Sequence, residues 1–527
     1  MITDMSQGRP AAILWRFTIP MLLSAVFQQL YNVADSVVAG RFVGEDALAA
    51  VGASFPITMI FMAVALGSNT GCSVIISQLF GAKETARMKT AVSTSVIAIL
   101  ALSALLTAGG FLFCEPLMRL LGTPENVFAD SQLYLNVYIG GLTFLFLYNI
   151  CTGVFTALGD SRTPLYFLIA SSLANIVMDV VFVVCFHMGV GGVAWATFLC
   201  QGVASVLAAW TLFRRLRGVP APERHPLFSW RMLGRIARIA VPSILQQSFI
   251  SVGNLFIQSL VNSFGSAVVA GYSAAVKLNT FALTGFTTLG NGLSSFTAQN
   301  IGAGRPERVK QGFRAGAGMT LCVAVPFIAA FVFAGPQMVR LFLSAPSADA
   351  LAQGTLFLNI VAPFYVLISL KLAADGVLRG AGCMGQFMTA TFTDLILRVI
   401  LAFLLAPRFG AAGIWMSWPL GWAVAAALSL GFYFTGGWRK REPNISASSH
   451  VYTGGHDQGG SPCRNRFRQR AEHFGIPCGF DFDNAKIHFL LLLLGGFDFR
   501  HLCLVCDCRG HHLLCAVPSY LLRFRIF

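Results

Sequence analysis

Four side chains with oxygen atoms lie inside apolar stretches of the first half of this sequence: Asp35, Asn175, Asp179 and Thr197. Asp35 lies in YNVADSVVAGRFVG, and Asn175 and Asp179 are four residues apart in LANIVMDVVF, a spacing that puts both on one face of a helix. Carboxylate, amide and hydroxyl oxygens are ligands for a small hard cation, and an acid at membrane depth can instead carry a proton. These residue types therefore predict a cation or proton site, the alternative being acids tied to neighbouring hydroxyls without a transport role.

The composition identifies the surroundings of these residues as a membrane. The chain is 56% hydrophobic and 11% charged, with a mean hydropathy of +0.69. Soluble domains have about 25% charged residues. The sequence therefore predicts an all-α integral membrane protein.

Apolar runs long enough to cross a hydrocarbon core of about 30 Å recur along most of the chain. We predict twelve spans, at 13–39, 50–79, 91–113, 130–158, 164–187, 190–213, 236–262, 270–298, 316–343, 355–379, 387–407 and 412–435. The polar opening MITDMSQGRP leads into a full-length span, so no cleavable signal peptide is expected.

Basic residues predict the orientation, because Lys and Arg in short loops stay on the cytoplasmic side. With the N terminus inside, RRLRG after Phe213 and RPERVK after Gly304 fall at inner ends. The outer ends carry few basic residues: Arg41, Arg119, Arg340 and Arg408. Both ends of the core are therefore expected in the cytoplasm and the protein in the inner (plasma) membrane. The net charge of +15 follows from this bias and the tail, so no nucleic-acid partner is expected.

The chain contains an internal repeat. SQLFGAKETARMK near position 78 is followed by AQNIGAGRPERVK near position 299. Five residues of the first copy recur 221 positions later. In order, Gln78, Gly81, Ala82, Arg87 and Lys89 correspond to Gln299, Gly302, Ala303, Arg308 and Lys310. Because six helices make an even number of crossings, the two copies are parallel, with a cavity expected between them.

The repeat predicts how the chain is divided. The predicted divisions are an N-terminal lobe (1–213), a basic cytoplasmic linker (214–235), a C-terminal lobe (236–440) and a tail (441–527). Because one chain supplies both lobes, we expect a monomer.

The depths of the four first-half residues are compatible with one site. At about 1.5 Å per helical residue, Asp35 lies about 8 Å from the outer end of its span, Thr197 about 10 Å, and Asp179 about 12 to 16 Å. Asn175 lies somewhat deeper. We therefore expect Asp35, Asp179 and Thr197 in one layer of the outer half of the first lobe.

At these motifs the sequence resembles the multidrug and toxic compound extrusion (MATE) transporters. ADSVVAGRFVGEDALAAVG, the repeated Gln-x-x-Gly-Ala motif and GVFTALGDSRTP carry the resemblance, which covers residues 10 to about 440. It implies two bundles that rock between outward-open and inward-open states and export cationic or amphipathic compounds in exchange for Na⁺ or H⁺, without a bound cofactor or metal. The positions that match the family's coupling-ion site are Asp35, Asn175, Asp179 and Thr197.

The second half contains ionisable residues in two pairs with four-residue spacing. Lys371 with Asp375, and Asp394 with Arg398, are each expected to neutralise one another on one helix face. The possible polar cavity of this lobe comprises Gln246, Gln247, Asp375 and Asp394. The two glutamines lie where some members of the family carry an acid, which weakens the case for a second cation site.

The tail from about Glu442 differs in composition. It contains Cys503, Cys506, Cys508, His511 and His512 at spacings that match no known zinc pattern. The alternatives are a segment without an evolved fold, such as a shifted reading frame, a regulatory metal-binding tail, or a membrane-associated hairpin around FLLLLLGGF.

Two other function classes compete with transport of small compounds. A flippase for a lipid-linked precursor would need a strongly cationic cavity, whereas the spans carry only Lys277, Lys371 and Arg398 as bases. A membrane-embedded enzyme would need a nucleophile with a base, or a cluster of His and acids, inside the spans. The core has only His187 and His225, both near loops, so an enzyme is not expected.

Overall fold

The structure is a computed structural model that describes residues 3–38, 43, 45–221, 225–343 and 347–439, without the side chains at 32–38 and 45–48. Three predictions fall on other residues. The side chain of Asp35, the metal-ligand types at Cys503 to His512 and the FLLLLLGGF stretch all lie outside the described residues.

Regular secondary structure in the described residues is helical. The α-helices are α1 (Pro10–Val38), α2 (Glu45–Gly81), α3 (Thr85–Leu120), α4 (Glu125–Gly140), α5 (Leu142–Ala157), α6 (Arg162–Val180), α7 (Gly189–Arg217), α8 (Trp230–Asn262), α9 (Ser266–Gly302), α10 (Pro306–Arg340), α11 (Ala348–Val361), α12 (Tyr365–Gly380), α13 (Met384–Phe409) and α14 (Ala411–Phe434).

These helices make the predicted set of membrane crossings. Within the described residues, ten helical segments are long and apolar enough to span, and α4 with α5, bent by 48°, forms an eleventh. The bend falls at Gly140 and Gly141, where the absence of side chains lets the helix break. The 37-residue α9 is long enough to cross a membrane, but its many Ser, Thr, Asn and Gly residues keep it outside these apolar segments. Counted with the eleven, it makes twelve. The prediction of a twelve-helix, all-α membrane protein is confirmed.

The helices extend beyond the predicted spans because hydropathy marks only the part in contact with lipid. The third span was predicted at 91–113, whereas α3 runs over Thr85–Leu120, 36 residues. That is about 54 Å of helix, well over the thickness of the hydrocarbon core. The additional turns place polar residues at the membrane surfaces and in the connections.

Buried apolar side chains form a core in each repeat and another where the repeats meet. The first-repeat core includes Phe146 and Phe155. The second-repeat core is built around aromatic residues that include Tyr365 and Trp415. The third core joins Phe17 of α1 to residues of α9, α12 and α13, so α1 packs against the second repeat as well as against α6 of the first.

The repeated Gln-x-x-Gly-Ala motifs meet at the C-terminal ends of α2 and α9, at a contact that we call the Gln–Gly crossing (Gln78, Gly81, Gln299 and Gly302). A Cβ atom on Gly81 would overlap the carbonyl oxygen of Gln299, and one on Gly302 would overlap that of Gln78. The side chains also cross between repeats. Nε2 of Gln78 donates to the Gly380 carbonyl (3.0 Å), and Nε2 of Gln299 donates to the Ala157 carbonyl (2.8 Å).

The N-terminal residues connect the two repeats beside this crossing. The Thr3 amide donates to the Leu158 carbonyl of the first repeat (3.0 Å). The Met5 amide donates to Oε1 of Gln299 (2.9 Å), and Arg308 donates to the Gly8 carbonyl (3.0 Å), both in the second repeat. Met5 is fully buried. The segment therefore ties the two repeats together at this end of the molecule.

Asp160 of the GDSRTP motif links the start of α6 to the end of α7. It is buried, and its carboxylate accepts hydrogen bonds from the Thr163 amide (3.2 Å) and hydroxyl (2.8 Å) and pairs with Arg215. Burial raises the pKa of Asp160, but the hydrogen bonds from Thr163 and Arg215 together hold this pKa below its ordinary value.

This environment predicts a loss of stability in acid. Because the pKa of Asp160 is lower in the folded than in the unfolded protein, the stabilisation is present above about pH 4 and is lost as the pH falls through the folded-state pKa. Asp160→Asn should reduce stability at neutral pH by about 1 to 3 kcal/mol and flatten the acid limb of a melting-temperature profile. Melting of the purified protein followed by tryptophan fluorescence tests this. The exposed Asp349→Asn is the control, and equal acid limbs for Asp160→Asn and the unaltered protein would contradict the assignment.

Candidate functional site

Three of the predicted first-half residues meet between α6 and α7, in a group that we call the first-repeat cluster (Asn175, Asp179 and Thr197). Asn175 is 3% and Asp179 0% exposed, and both lie on the face of α6 that packs on α7. The side-chain amide of Asn175 lies 3.4 Å from the Thr197 hydroxyl. The four-residue spacing and the helix packing therefore bring these oxygen-bearing side chains together.

The orientation of the Asn175 amide determines how the cluster is connected. When the amide group is turned about the Cβ–Cγ bond, its nitrogen donates to Oδ2 of Asp179 (3.0 Å) and its oxygen accepts from the Thr197 backbone amide (3.1 Å). This orientation satisfies both ends of the side chain, whereas the other sets like groups against each other. Asn175 thus holds the Asp179 carboxylate in place and ties it to α7.

The helix changes its winding immediately beyond Asp179. α6 ends at Val180, and Val181–Cys185 form a π-helical turn. Such turns are frequent at functional sites because the wider winding changes the direction of neighbouring side chains. Hydropathy gave no sign of this turn, since the residues in it are all apolar or Cys.

Asp35 cannot be placed in the cluster by its side chain, which is outside the described residues. Its backbone belongs to α1, and α1 packs along α6, the helix of Asn175 and Asp179. Pro20 lies inside α1, where its missing amide removes one helical hydrogen bond.

A small cavity adjoins Thr197. It has a volume of about 40 Å³, and polar groups in its lining are Tyr134, Tyr138, Thr197 and Gln201. This is room for about one water molecule or small ion, and far too little for a drug-sized compound.

A second, drug-sized cavity of about 420 Å³ lies between the two repeats. Its lining includes all four residues predicted for a second-half polar cavity: Gln246, Gln247, Asp375 and Asp394. Asn69, Thr70 and Ser73 of α2 contribute from the first repeat. We call this space the central cavity.

The two charge pairs predicted from their spacing differ in the structure. Nζ of Lys371 lies 2.9 Å from Oδ2 of Asp375, and the Ser429 hydroxyl donates to Oδ1 of the same acid (2.6 Å), which confirms the first pair. Asp394 and Arg398 differ from the expectation in part: in the described part of the chain they form no ion pair within 4.0 Å, although the charge of Arg398 still acts on Asp394. The guanidinium of Arg398 instead lies 4.4 Å from the centre of the Trp418 ring on α14.

Sequence reasoning also missed a basic residue of the central cavity. Arg379 lies in the last turn of α12, lines the cavity, and donates to Oδ1 of Asn291 (2.6 Å). It is the last residue of the predicted span 355–379, and a basic residue at the inner end of a span is expected whether or not it lines a cavity. Lys277, the unpaired base of the predicted list, is exposed on α9. Within the described ranges, no group of three or more His, Cys, Asp and Glu residues could hold a metal ion.

Comparison with known proteins gives the same architecture. A family model described as MatE matches residues 20–181 and 242–404, two blocks that correspond to the two repeats. The probable multidrug resistance protein YpnP of Bacillus subtilis (strain 168) is 31% identical over 437 residues, which cover 83% of this chain and 97% of the relative. The FAD transporter of Shewanella oneidensis is 27% identical over 308 residues, covering 57% and 67% of the two chains.

Solved structures share the fold. A MOP superfamily transporter from Pyrococcus furiosus, described as having a binding pocket of reverse polarity, superposes with a TM-score of 0.77 at 24% identity, covering 82% of this chain and 97% of the other. An outward-facing multidrug resistance MATE transporter gives the same TM-score, identity and coverage.

Proposed function

The chain belongs to the multidrug and toxic compound extrusion (MATE) family of membrane transporters, and we propose that it is a secondary active antiporter that exports cationic or amphipathic compounds in exchange for Na⁺ or H⁺. One observation carries the proposal: the central cavity is separated from the smaller, buried first-repeat cluster. The central cavity has the volume of a drug-sized molecule, whereas the cavity that adjoins the cluster at Thr197 has room only for a water molecule or a small ion.

The first-repeat cluster is the proposed coupling site, completed by Asp35. A carboxylate, an amide oxygen and a hydroxyl suit Na⁺, and a carboxylate at membrane depth equally suits a proton. One positive charge moving inward gains about 2.3 kcal/mol per 100 mV, enough for about a 50-fold concentration ratio of an exported neutral compound. Because Asp35 is on α1 and the cluster on α6 and α7, ion binding would alter how these helices pack.

The Gln–Gly crossing is the proposed cytoplasmic gate. On α2 and α9, cavity residues such as Ser73 and Ser294 are followed within two or three turns by Gly81 and Gly302, so the crossing lies at one end of the cavity. Basic residues on the connections at that end support a cytoplasmic location. The proposed state is therefore closed to the cytoplasm, and transport requires the two motifs to separate.

The deciding experiment measures efflux of a fluorescent cationic dye from cells or vesicles under a Na⁺ gradient alone or a pH gradient alone. The unaltered protein should respond to one gradient, and Asp35→Asn should lose that response. Asp130→Asn, an exposed acid on α4, is the matched control. Dye export by Asp35→Asn equal to that of the control under both gradients would overturn the assignment of Asp35 as a coupling acid, and absence of gradient-driven export by the unaltered protein would overturn the antiport proposal.

A further inference from the structure

A basic cavity lies between the start of α1 and the start of α6, apart from the central cavity and the first-repeat cluster. Its volume is about 190 Å³, and we call it the α1–α6 cavity. Arg9 directly precedes α1, Arg16 lies two turns further along it, and both line the cavity with Arg162, the first residue of α6. Thr3, which joins the repeats beside the Gln–Gly crossing, also lines it. Because arginine is charged at neutral pH, the cavity concentrates positive charge at this end of the molecule.

The three arginines have no counter-ion in the described part of the chain. None of their guanidinium groups takes part there in an ion pair, a hydrogen bond or a contact over an aromatic ring. Asp160 also lines the cavity, but its carboxylate is held by Thr163 and paired with Arg215. Asp4, an acid of the N-terminal segment, accepts instead from the Ser6 hydroxyl (2.6 Å). The positive charge of the cavity is therefore left for a bound anion.

A buried hydroxyl in the same lining gives a second, independent indication of a ligand. Ser161 is 4% exposed and occupies the N-cap position of α6, yet its side chain makes no capping hydrogen bond. Among the described residues this hydroxyl has no hydrogen-bond partner. A buried polar group without a partner is costly, and an anion in the cavity would satisfy it. The start of a helix also favours an anion, because its first amide groups lack partners within the helix.

We propose that the α1–α6 cavity binds a phosphate group, held by the three arginines of the lining and by the Ser161 hydroxyl. Phosphate fits these donors because its several oxygens accept paired hydrogen bonds from planar guanidinium groups. The volume is below that of pockets for drug-sized molecules. Basic pockets between helices on the cytoplasmic side of membrane proteins bind lipid head groups. The two sources of this chemistry are an anionic phospholipid of the inner leaflet and a soluble phosphate, and either would join α1 to α6.

Binding to the purified full-length protein in neutral detergent tests the proposal and identifies the source. Phosphatidylglycerol and phosphatidylcholine are offered in equal amounts, and the lipids retained on the protein are counted by native mass spectrometry. Inorganic phosphate is titrated into lipid-free protein by calorimetry, with sodium chloride of equal ionic strength as the blank. The unaltered protein should prefer phosphatidylglycerol by about fivefold or more, which identifies a lipid, or bind inorganic phosphate, which identifies a soluble source.

Two variants with the same loss of charge distinguish the cavity from the rest of the surface. The test variant replaces the three arginines of the cavity: Arg9→Gln, Arg16→Gln and Arg162→Gln. The control replaces three exposed arginines outside the cavity lining: Arg217→Gln, Arg231→Gln and Arg314→Gln. Because both variants lose three charges, general attraction to anionic lipid falls in both, and the test variant should bind about tenfold or more weakly than the control.

Equal weakening in the two variants overturns the proposal. It is also overturned if the unaltered protein shows neither a preference for phosphatidylglycerol nor binding of inorganic phosphate. If the test variant does not fold, lysine at the same three positions keeps the charge but loses the paired donors, so binding should fall by about twofold to fivefold. Unchanged binding in the lysine variant likewise contradicts the site. Neither measurement involves transport, so failure here leaves the efflux proposal standing.

Discussion

Asp179→Asn is expected to reduce ion-driven efflux by about 10- to 100-fold while the protein still folds. The substitution keeps the size of a fully buried side chain and removes only its charge and one acceptor oxygen. The neutral amide can still face Asn175, so packing between α6 and α7 should persist. A bound cation would lose its charged ligand, and a proton the group that carries it. At metal sites, loss of a group that only supports a ligand already costs about 10- to 100-fold in affinity.

The measurement is the initial rate of dye efflux as a function of Na⁺ concentration and of pH, with melting temperature as the check on folding. Thr197→Val, which removes one hydroxyl, should have a smaller effect of the same kind. Asp130→Asn controls for loss of an acid elsewhere in the same repeat. Unchanged ion dependence in Asp179→Asn would show that the buried carboxylate is structural and that coupling takes place elsewhere.

Elements that depend on local pattern could be predicted from the sequence. Span length follows from hydrophobic thickness, so the twelve crossings were predictable. The pair Lys371–Asp375 follows from helical spacing, and so does the common face of Asn175 and Asp179. The ion pair and the common face each depend on positions within one helix, and span length depends only on the thickness of the membrane.

Elements that depend on a neighbouring helix could not be predicted in this way. Asp394 and Arg398 have the same spacing as the first pair, but Trp418 on α14 takes the guanidinium. The bend at Gly141 and the π-helical turn after Val180 leave no hydropathy signal. The repeated motif showed that two similar halves exist, but nothing in its residues indicated that the two copies contact each other.

That contact makes Gly302→Ala the second substitution expected to have a large effect. A methyl group there would overlap the backbone carbonyl of Gln78, which cannot move aside as a flexible side chain could. Overpacking costs about 1 to 3 kcal/mol, occasionally more, and for a folded core of this length that lowers the melting temperature by about 1 to 3 °C. If the crossing is the gate, efflux should fall more than about tenfold, because the closed state can no longer form its reciprocal glutamine hydrogen bonds.

Gly318→Ala on α10 is the matched control, since a Cβ atom there would meet no atom within 4 Å. Retention of both melting temperature and efflux by Gly302→Ala would contradict a tight crossing. Gly81→Ala combined with Gly302→Ala gives a stricter test. Each methyl group meets the carbonyl of the opposite motif, so the first substitution already forces α2 and α9 apart. The second should therefore cost less than it does alone, whereas strictly additive losses would mean that the two glycines act at independent sites.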